Sequence, residues 1–343
     1  MKLNISGSKP QAATIVKKPQ DRRWIYFSLL GIINVAWIFY MTAAGQWDLF
    51  IEYWPASVTM SFGSFVAGAT AEGGAAVAFP VFTKVLHVSS ADARTFGLMI
   101  QSFGMTMAGV LIYVQRIKIL PRVVVMVSLG GIIGQLIGTF LITIPEPYPR
   151  ILFTFVATAF GVVMIISSWI IRWTPSDDLP KWDNSYRLLF VVVGVLGGIF
   201  AGQTGSGIDM LAFVVLTLAF GINEKVSTPT SVIIMGLNSV VGFFLHGAIA
   251  QDIGIVWNYW LVAVPIVIVG APLGAYVASM VKREAIIIFL LVLITIELST
   301  TLWLVPFSSL TQIIVTATAV FTCAFFFWVM LAYRKKYVPM GEA

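Results

Sequence analysis

The chain has 343 residues, of which 59% are hydrophobic and only 10% are charged. A soluble globular domain carries about a quarter charged residues, so these charges are too few to cover a soluble body of this size. The mean hydropathy of +0.93 also indicates a chain that is too apolar for a soluble protein. Composition therefore excludes a soluble enzyme, a disordered protein and a disulfide-stapled secreted domain. It indicates an all-α polytopic membrane protein, and the single cysteine, Cys323, excludes an intrachain disulfide or a cysteine-rich metal site.

Basic residues exceed acidic ones, with Lys and Arg totalling 21 and Asp and Glu totalling 15. In a membrane protein, an excess of this kind collects in cytoplasmic loops and sets the orientation. No basic run is interleaved with aromatic residues that could stack on bases, as in single-strand binders. We therefore expect membrane lipid as a partner and no nucleic acid.

The apolar segments, taken in chain order, predict the membrane crossings. A helix needs about 20 apolar residues to cross the hydrocarbon core. We expect a basic cytoplasmic tail over 1–23, an uncleaved anchor helix over 24–43, a last transmembrane helix over 311–333 and a tail over 334–343. The segments of sufficient length are 24–43, 92–115, 121–144, 148–171, 226–250, 255–279, 284–304 and 311–333.

Two further apolar segments, 56–86 and 187–220, are interrupted in the middle by glycines. As one straight helix, each segment would be about 46 Å long, which is longer than the hydrocarbon core is thick. One half, with about 14 residues, would span only about 21 Å, which is too short to cross the core alone. Glycine-rich breaks also disfavour a continuous helix. We therefore predict two re-entrant hairpins, whose irregular backbone is tolerated only inside protein or beside a polar cavity.

The loop charges favour these hairpins over full crossings. With hairpins, nearly all loop Lys and Arg residues fall on the cytoplasmic side, and Lys84, Arg94 and Arg150 remain outside. Full crossings would spread the basic residues more evenly between the two sides, against the positive-inside rule. We predict eight full crossings in a cell inner membrane, with both termini cytoplasmic.

The two interrupted segments are copies of each other. Residues 68–73 (GATAEG) match residues 202–207 (GQTGSG) at an offset of 134. A first repeat over 56–171 and a second over 187–304 each contain one hairpin followed by three transmembrane helices. Three crossings are an odd number, so the second repeat inserts upside down relative to the first. Inverted repeats with broken helices at the midplane recur among transporters.

The paired glycine-rich hairpins, together with residues 228–231 (TPTS) and the pair Asn238-Ser239, resemble the TauE/SafE sulfite exporter family. The resemblance covers about 56–304. It implies a secondary transporter of sulfur-containing anions such as sulfite or organosulfonates. The chain departs from the family pattern at Glu72, in a stretch that is commonly rich in glycine, and at 94–97 (RTFG), in place of an Ala-Thr-Ser-like run. These departures leave the substrate open.

A half-helix is expected to begin after each break, near Gly74 and near Ile208. Its free N–H groups and positive dipole end would point at the membrane centre. Two such ends can form an anion site without any buried Lys or Arg, and no Lys or Arg lies well inside a predicted span. The candidate substrate-binding residues are Thr70, Gly73, Gly74, Gln203, Thr204, Gly205, Ser206, Gly207, Asn238 and Ser239.

Three acidic residues, Glu72, Asp209 and Glu297, lie in apolar surroundings. Intramembrane carboxylates are costly and often functional, and burial favours their protonated form. They are therefore candidates for proton coupling. Capping of a half-helix start remains open for Glu72 and Asp209, and a helix–helix contact remains open for Glu297. Because three buried acids suit an anion site only if protons take part, a cation substrate also stays open.

The sequence thus predicts a proton-linked secondary transporter of a small anion that works by alternating access. A cation or metal-ion carrier that uses the intramembrane carboxylates is one alternative, and a passive anion channel is another. A membrane-embedded enzyme is disfavoured because the chain has neither HExxH nor GxSxG. We expect no catalytic residues, no metal site and no cofactor, and the oligomeric state is not indicated.

Overall fold

The computed structural model describes residues 23–166, 169, 175–305 and 309–337. Apart from Arg23, the predicted N-terminal tail lies outside these residues, as does the C-terminal tail from residue 338. The described helices are α1 (Arg23–Ala43), α2 (Leu49–Glu52), α3 (Trp54–Ala69), α4 (Ala75–Pro80), α5 (Ser90–Val114), α6 (Pro121–Phe140), α7 (Tyr148–Ile165), α8 (Asn184–Thr204), α9 (Ile208–Val214), α10 (Glu224–Phe244), α11 (Val256–Met280), α12 (Arg283–Leu304) and α13 (Leu310–Tyr337).

The prediction of an all-α, multi-pass membrane protein is confirmed. Within the described part of the chain, nine helices are long and apolar enough to cross a membrane. Eight of them correspond to the predicted spans. The ninth is α8, which the sequence analysis assigns to the first half of the second hairpin.

The first interrupted segment bends at residues 70–74, between α3 and α4. A π-helical turn, Val81–Val85, continues directly from α4. The aromatic ring of Tyr259, near the start of α11, contacts both Tyr53, which precedes α3, and Phe82, in the π-helical turn, with ring centroids 4.8 Å and 5.2 Å apart. The two ends of the segment therefore lie beside the same residue.

The second interrupted segment has the same form. It bends at residues 205–207, between α8 and α9, and a π-helical turn, Val215–Ala219, follows α9. The Ser176 N–H donates to the Gly221 carbonyl over 3.0 Å, and the Asn223 N–H donates to the Ser176 carbonyl over 2.8 Å. This backbone pairing holds the chain before α8 next to the chain after α9.

The prediction that each segment breaks into two equal halves is wrong for both segments. Helix α3 has 16 residues, and α4 with its π-helical turn has 11 (6 and 5). Helix α8 has 21 residues, and α9 with its turn has 12 (7 and 5). In each segment, the limb that precedes the break is the longer one, and it packs on a glycine-rich helix.

These glycine-rich helices are α6 and α11. Helix α6 packs on α8, and helix α11 packs on α3. On α6, Gly134 lies against the backbone at Val195 and Gly198 of α8. On α11, Gly270 lies against Ser64 of α3. Ser64 and Gly198 are separated by the same offset that relates the two breaks, and each long limb packs on a glycine-rich helix from the other half of the chain. Small residues at such contacts let two backbones approach closely.

Substitution of Gly134 by valine is expected to destabilise the folded protein. A Cβ atom at this position would lie 2.1 Å from the Val195 carbonyl oxygen, so α6 and α8 would have to separate. Overpacking of this kind costs about 1–3 kcal/mol, which should lower the apparent Tm in detergent. Gly31→Val is the matched control because nothing lies within 4 Å of a Cβ at that lipid-facing position of α1. An unchanged Tm for Gly134→Val would contradict this packing.

Candidate functional site

The breaks of the two interrupted segments touch each other. The Ser206 hydroxyl donates to the Glu72 carbonyl over 2.9 Å. A Cβ atom on Gly73 would lie 2.9 Å from Ser206 Oγ and 2.7 Å from Asp209 Oδ2, so the contact leaves no room for a side chain there. The half-helices begin at Ala75 and Ile208, where the sequence predicts them.

Gln101 of α5 joins the two breaks. Its Nε2 donates to the Gly205 carbonyl over 2.8 Å, and its Oε1 accepts a hydrogen bond from the Gly74 N–H over 3.2 Å. A third bond, to the Gly97 carbonyl, holds the amide against its own helix. The side chain is buried. As an isolated amide in an apolar span, Gln101 is marked by the sequence as a residue that lines the path, but it is not among the predicted binding residues.

Asp209 caps the start of α9. Its Oδ1 accepts hydrogen bonds from the Gly207 N–H over 3.0 Å and from the Met210 N–H over 3.1 Å. Its Oδ2 is buried and has no hydrogen-bond partner among the described residues. A carboxylate at a helix start satisfies N–H groups that would otherwise be free. The carboxylate therefore uses N–H groups that the sequence analysis assigned to an anion.

Glu72 lies at the first break, on the other side of the contact. Its side chain is 1% exposed, and its Oε1 has no hydrogen-bond partner among the described residues. The Glu72 N–H donates to the Thr70 hydroxyl over 3.3 Å. The contact thus brings two buried carboxyl groups together, each with one oxygen that makes no hydrogen bond.

Two threonines occupy equivalent places before the breaks. The Thr70 hydroxyl donates to the Val66 carbonyl over 2.9 Å, and the Thr204 hydroxyl lies within donating distance of two carbonyls, that of Phe200 at 3.1 Å and that of Ser206 at 2.8 Å. Each hydroxyl therefore lies against the last turn of its own helix. Its lone pairs can still accept a hydrogen bond.

Other predicted residues lie beside the contact. The Gln203 amide donates to the carbonyls of Gly138 and Ile142, at the end of α6, and therefore points away from the first break. On α10, Asn238 donates to Gln135 Oε1 over 3.1 Å. Ser239 is fully buried. The structure thus groups Thr70, Gly73, Gly74, Thr204, Gly205, Ser206, Gly207, Glu72 and Asp209 at the contact, and it places Gln203, Asn238 and Ser239 around it.

A cavity of about 380 Å³ leads from one face of the molecule to the first break. Residues 68–71 form its inner end, and Thr228 of α10 also lines it. Its outer part is lined by loop residues that carry both charge signs, among them Lys118 and Lys225. This volume accommodates a small anion together with water.

The expectation that no basic residue is buried in the membrane body is wrong. Lys84 is buried and forms an ion pair with Glu297, with Nζ 2.7 Å from Oε2. Arg94, largely buried on α5, donates to the Gly202 carbonyl over 3.2 Å, just before the second break. Because Glu297 is engaged by Lys84, it does not reach the contact between the breaks.

No group of three or more His, Cys, Asp or Glu side chains within the described ranges is placed to hold a metal ion. The two buried carboxyl groups at the contact lack further anionic or imidazole ligands of this kind. The site is therefore made of backbone groups, hydroxyls, one amide and two carboxyl groups.

Comparison with known proteins agrees with this architecture. A family model described as Sulfite exporter TauE/SafE matches residues 56–300. The chain belongs to the TauE/SafE sulfite exporter family. The resemblance predicted from the sequence is thus confirmed, and membership assigns the chain to a family of membrane transporters. No curated protein and no solved structure matches the chain.

The TauE/SafE match contains both breaks and the helices that surround them. It begins within α3 and ends within α12, so α1 and α13 lie outside it. The Ser206–Glu72 contact, Gln101 and the inner end of the cavity all fall inside the matched range.

Proposed function

We propose that this TauE/SafE member is a secondary transporter of a small sulfur-containing anion, such as sulfite or an organosulfonate, that works by alternating access. Two observations carry the proposal: the two breaks touch where the Ser206 hydroxyl donates to the Glu72 carbonyl, and a cavity reaches residues 68–71 beside the first break. Broken helices that meet at a cavity expose backbone polar groups to a solute inside the membrane.

The proposal includes two re-entrant hairpins, an inverted repeat and eight full crossings. The pairing of Ser176 with Ile222 supports a second segment that returns to the side from which it started. The shared contact of Tyr53 and Phe82 with Tyr259 supports the same path for the first segment. In this arrangement α8 enters deeply and returns through α9 without crossing.

We also propose that the protein lies in the cell inner membrane with both termini in the cytoplasm, so that the cavity opens to the cytoplasm. Lys118 and Lys225 line the mouth of the cavity, and Lys181 lies in the neighbouring loop before α8. Basic loops of this kind stay on the cytoplasmic side.

Proton coupling follows from the two buried carboxyl groups at the contact. An anion next to ionised Glu72 or Asp209 would be strongly repelled, because charges interact far more strongly inside a protein than in water. Protonation of these groups removes the repulsion. Binding of the anion would therefore be accompanied by proton uptake, which links the two fluxes.

Flux into proteoliposomes tests the proposal. Purified protein should accumulate sulfite, methanesulfonate or sulfoacetate when a proton gradient is imposed, and the flux should saturate with substrate concentration. An excess of unlabelled anion on the opposite side should accelerate exchange of the labelled anion. A non-saturating flux without this acceleration would indicate a passive channel, and the absence of flux and binding for all three anions would refute the proposal.

A cation carrier remains the second candidate because Glu72 Oε1 and Asp209 Oδ2 have no hydrogen-bond partner among the described residues. Two such oxygens could bind a cation in place of a proton. If this candidate were correct, replacing both acids by their amides should abolish cation binding, and the wild-type protein should show no anion flux.

A further inference from the structure

The Lys84 ammonium group lies in a pocket of oxygen atoms at the far end of α12. Its Nζ is 2.7 Å from Glu297 Oε2 and donates to the Thr301 hydroxyl over 2.6 Å. It also donates to the Thr300 hydroxyl over 3.1 Å and to the Glu297 carbonyl over 3.3 Å. Four oxygen atoms from one helix turn thus surround one positive charge.

The other oxygen of the Glu297 carboxylate is held in place from α7. The Thr154 hydroxyl donates to Glu297 Oε1 over 2.6 Å. The Thr301 hydroxyl lies 3.3 Å from the same oxygen. Thr154 and Thr301 are fully buried, and the Lys84 side chain is 4% exposed. The Glu297 carboxylate is therefore held by hydroxyl groups at Oε1, and its Oε2 faces the ammonium group.

This cluster is separate from the cavity. Ile287 and Leu290, which line the cavity, lie at the start of α12, whereas Glu297 lies two turns further along the helix. Lys84 belongs to the π-helical turn Val81–Val85, at the end of the first interrupted segment. The cluster therefore connects the π-helical turn at the end of that segment to α7 and α12.

We infer that Glu297, Thr300 and Thr301 form a binding site for a monovalent cation, with the carboxylate held by Thr154, and that the Lys84 ammonium group fills it as a tethered ligand. Carboxylate, hydroxyl and carbonyl oxygens are the ligands that hard cations prefer. A buried carboxylate without a cation would be strongly destabilising. The chain thus provides its own cation at this position, and removal of the lysine side chain leaves a site for a small cation from solution.

This inference goes beyond the proposed function, because it holds whatever solute is carried. It also restricts how transport can be coupled. Since the ammonium group occupies the site, Na⁺ or K⁺ from solution does not bind there in the wild-type protein. The end of the first interrupted segment is held by the ammonium group of Lys84, which is a cation of the chain itself.

Cation-dependent thermal stability of full-length K84A tests the inference. The apparent Tm is measured in detergent with chloride salts of ammonium, methylammonium, sodium, potassium or N-methylglucamine at constant ionic strength. We expect K84A to be less stable than the wild type in N-methylglucamine and to gain roughly 3 °C or more when a small cation is present. The wild type should show no such gain.

The matched control is K118A, which removes the lysine from the exposed ion pair with Asp178, whose Nζ–Oδ2 distance is also 2.7 Å. It should respond to the cations as the wild type does. Equal responses of K84A, K118A and the wild type would overturn the inference.

A second set of variants decides the question if K84A does not fold. K84M and E297Q each leave one buried charge without its partner, whereas the K84M/E297Q double variant leaves none. We expect the double variant to have a higher apparent Tm than either single variant. If the Tm losses of the single variants simply add in the double variant, the two side chains do not form one site and the inference is wrong.

Discussion

Substitution of Gly73 by alanine is expected to reduce anion flux about a hundredfold, which corresponds to about 2.7 kcal/mol. Gly73 has a φ of +73°, in the left-handed region that costs other residues about 1–2 kcal/mol. A Cβ atom would also lie 2.5 Å from Gln101 Oε1 and 2.7 Å from Asp209 Oδ2. The added methyl group must therefore displace the side chains of Gln101 and Asp209, at the place where we propose that the anion binds.

The measurement is the initial rate of anion uptake into proteoliposomes, normalised to the amount of reconstituted protein. Gly45→Ala is the matched control. Gly45 also has a positive φ, of +64°, but nothing lies within 4 Å of a Cβ at that position, in the loop after α1. Gly45→Ala should keep most of the flux. If both variants kept wild-type flux, the site would lie elsewhere; if both lost it equally, backbone strain alone would explain the loss.

The positions of the breaks could be predicted from the sequence because the signal is local and duplicated. A cluster of glycines interrupts an apolar run twice, and the two clusters share their spacing. The structure extends the same offset beyond the glycines. The Thr83 hydroxyl donates to the Phe79 carbonyl over 2.7 Å, and the Thr217 hydroxyl donates to the Phe213 carbonyl over 2.7 Å. The π-helical turns Val81–Val85 and Val215–Ala219 are related by this offset as well.

The capping role of Asp209 was also within reach of sequence analysis, which left it open as an alternative. Capping joins a carboxylate to N–H groups one or two residues away, here Met210 and Gly207, so residue type and spacing are informative. The unequal lengths of the two limbs were not predictable in this way. The limb lengths depend on where α3 and α8 contact glycine-lined surfaces of helices that are distant in sequence.

The Lys84–Glu297 pair could not be predicted for the same reason. The two residues are 213 positions apart, and a single sequence carries no information about which distant charges meet. Lys84 lies near the end of an apolar segment, where a lysine ordinarily extends its ammonium group to the membrane surface. The partner of Gln101 could not be predicted either, since the Gly205 carbonyl that it binds is 104 residues away, although an isolated amide in an apolar span marks Gln101 itself.

Asp209→Asn is expected to abolish proton-driven accumulation of the anion while leaving a folded protein that still exchanges it. The asparagine Oδ1 can accept the same hydrogen bonds from the Gly207 and Met210 N–H groups, so the start of α9 remains capped. The substitution changes Oδ2, which is buried and has no hydrogen-bond partner among the described residues. An amide at this position cannot take up or release a proton.

Asp183→Asn is the control because the Asp183 side chain also accepts a hydrogen bond from a backbone N–H in the first turn of a helix, here α8. Its Oδ1 accepts a hydrogen bond from the Tyr186 N–H over 3.0 Å. This bond lowers the pKa of the exposed Asp183 carboxyl group from its ordinary value, so the group stays ionised at neutral pH and releases no proton there. Asp183→Asn should therefore keep both accumulation and its dependence on pH.

Accumulation under a proton gradient and exchange without a gradient are measured on the same proteoliposomes. We expect Asp209→Asn to lose about a hundredfold in accumulation, to keep exchange within a few-fold of the wild type, and to show exchange that varies little with pH. Accumulation at the wild-type level would contradict a coupling role for Asp209. Loss of both activities in a folded variant would instead indicate that the carboxylate binds the cargo directly, as the cation-carrier alternative requires.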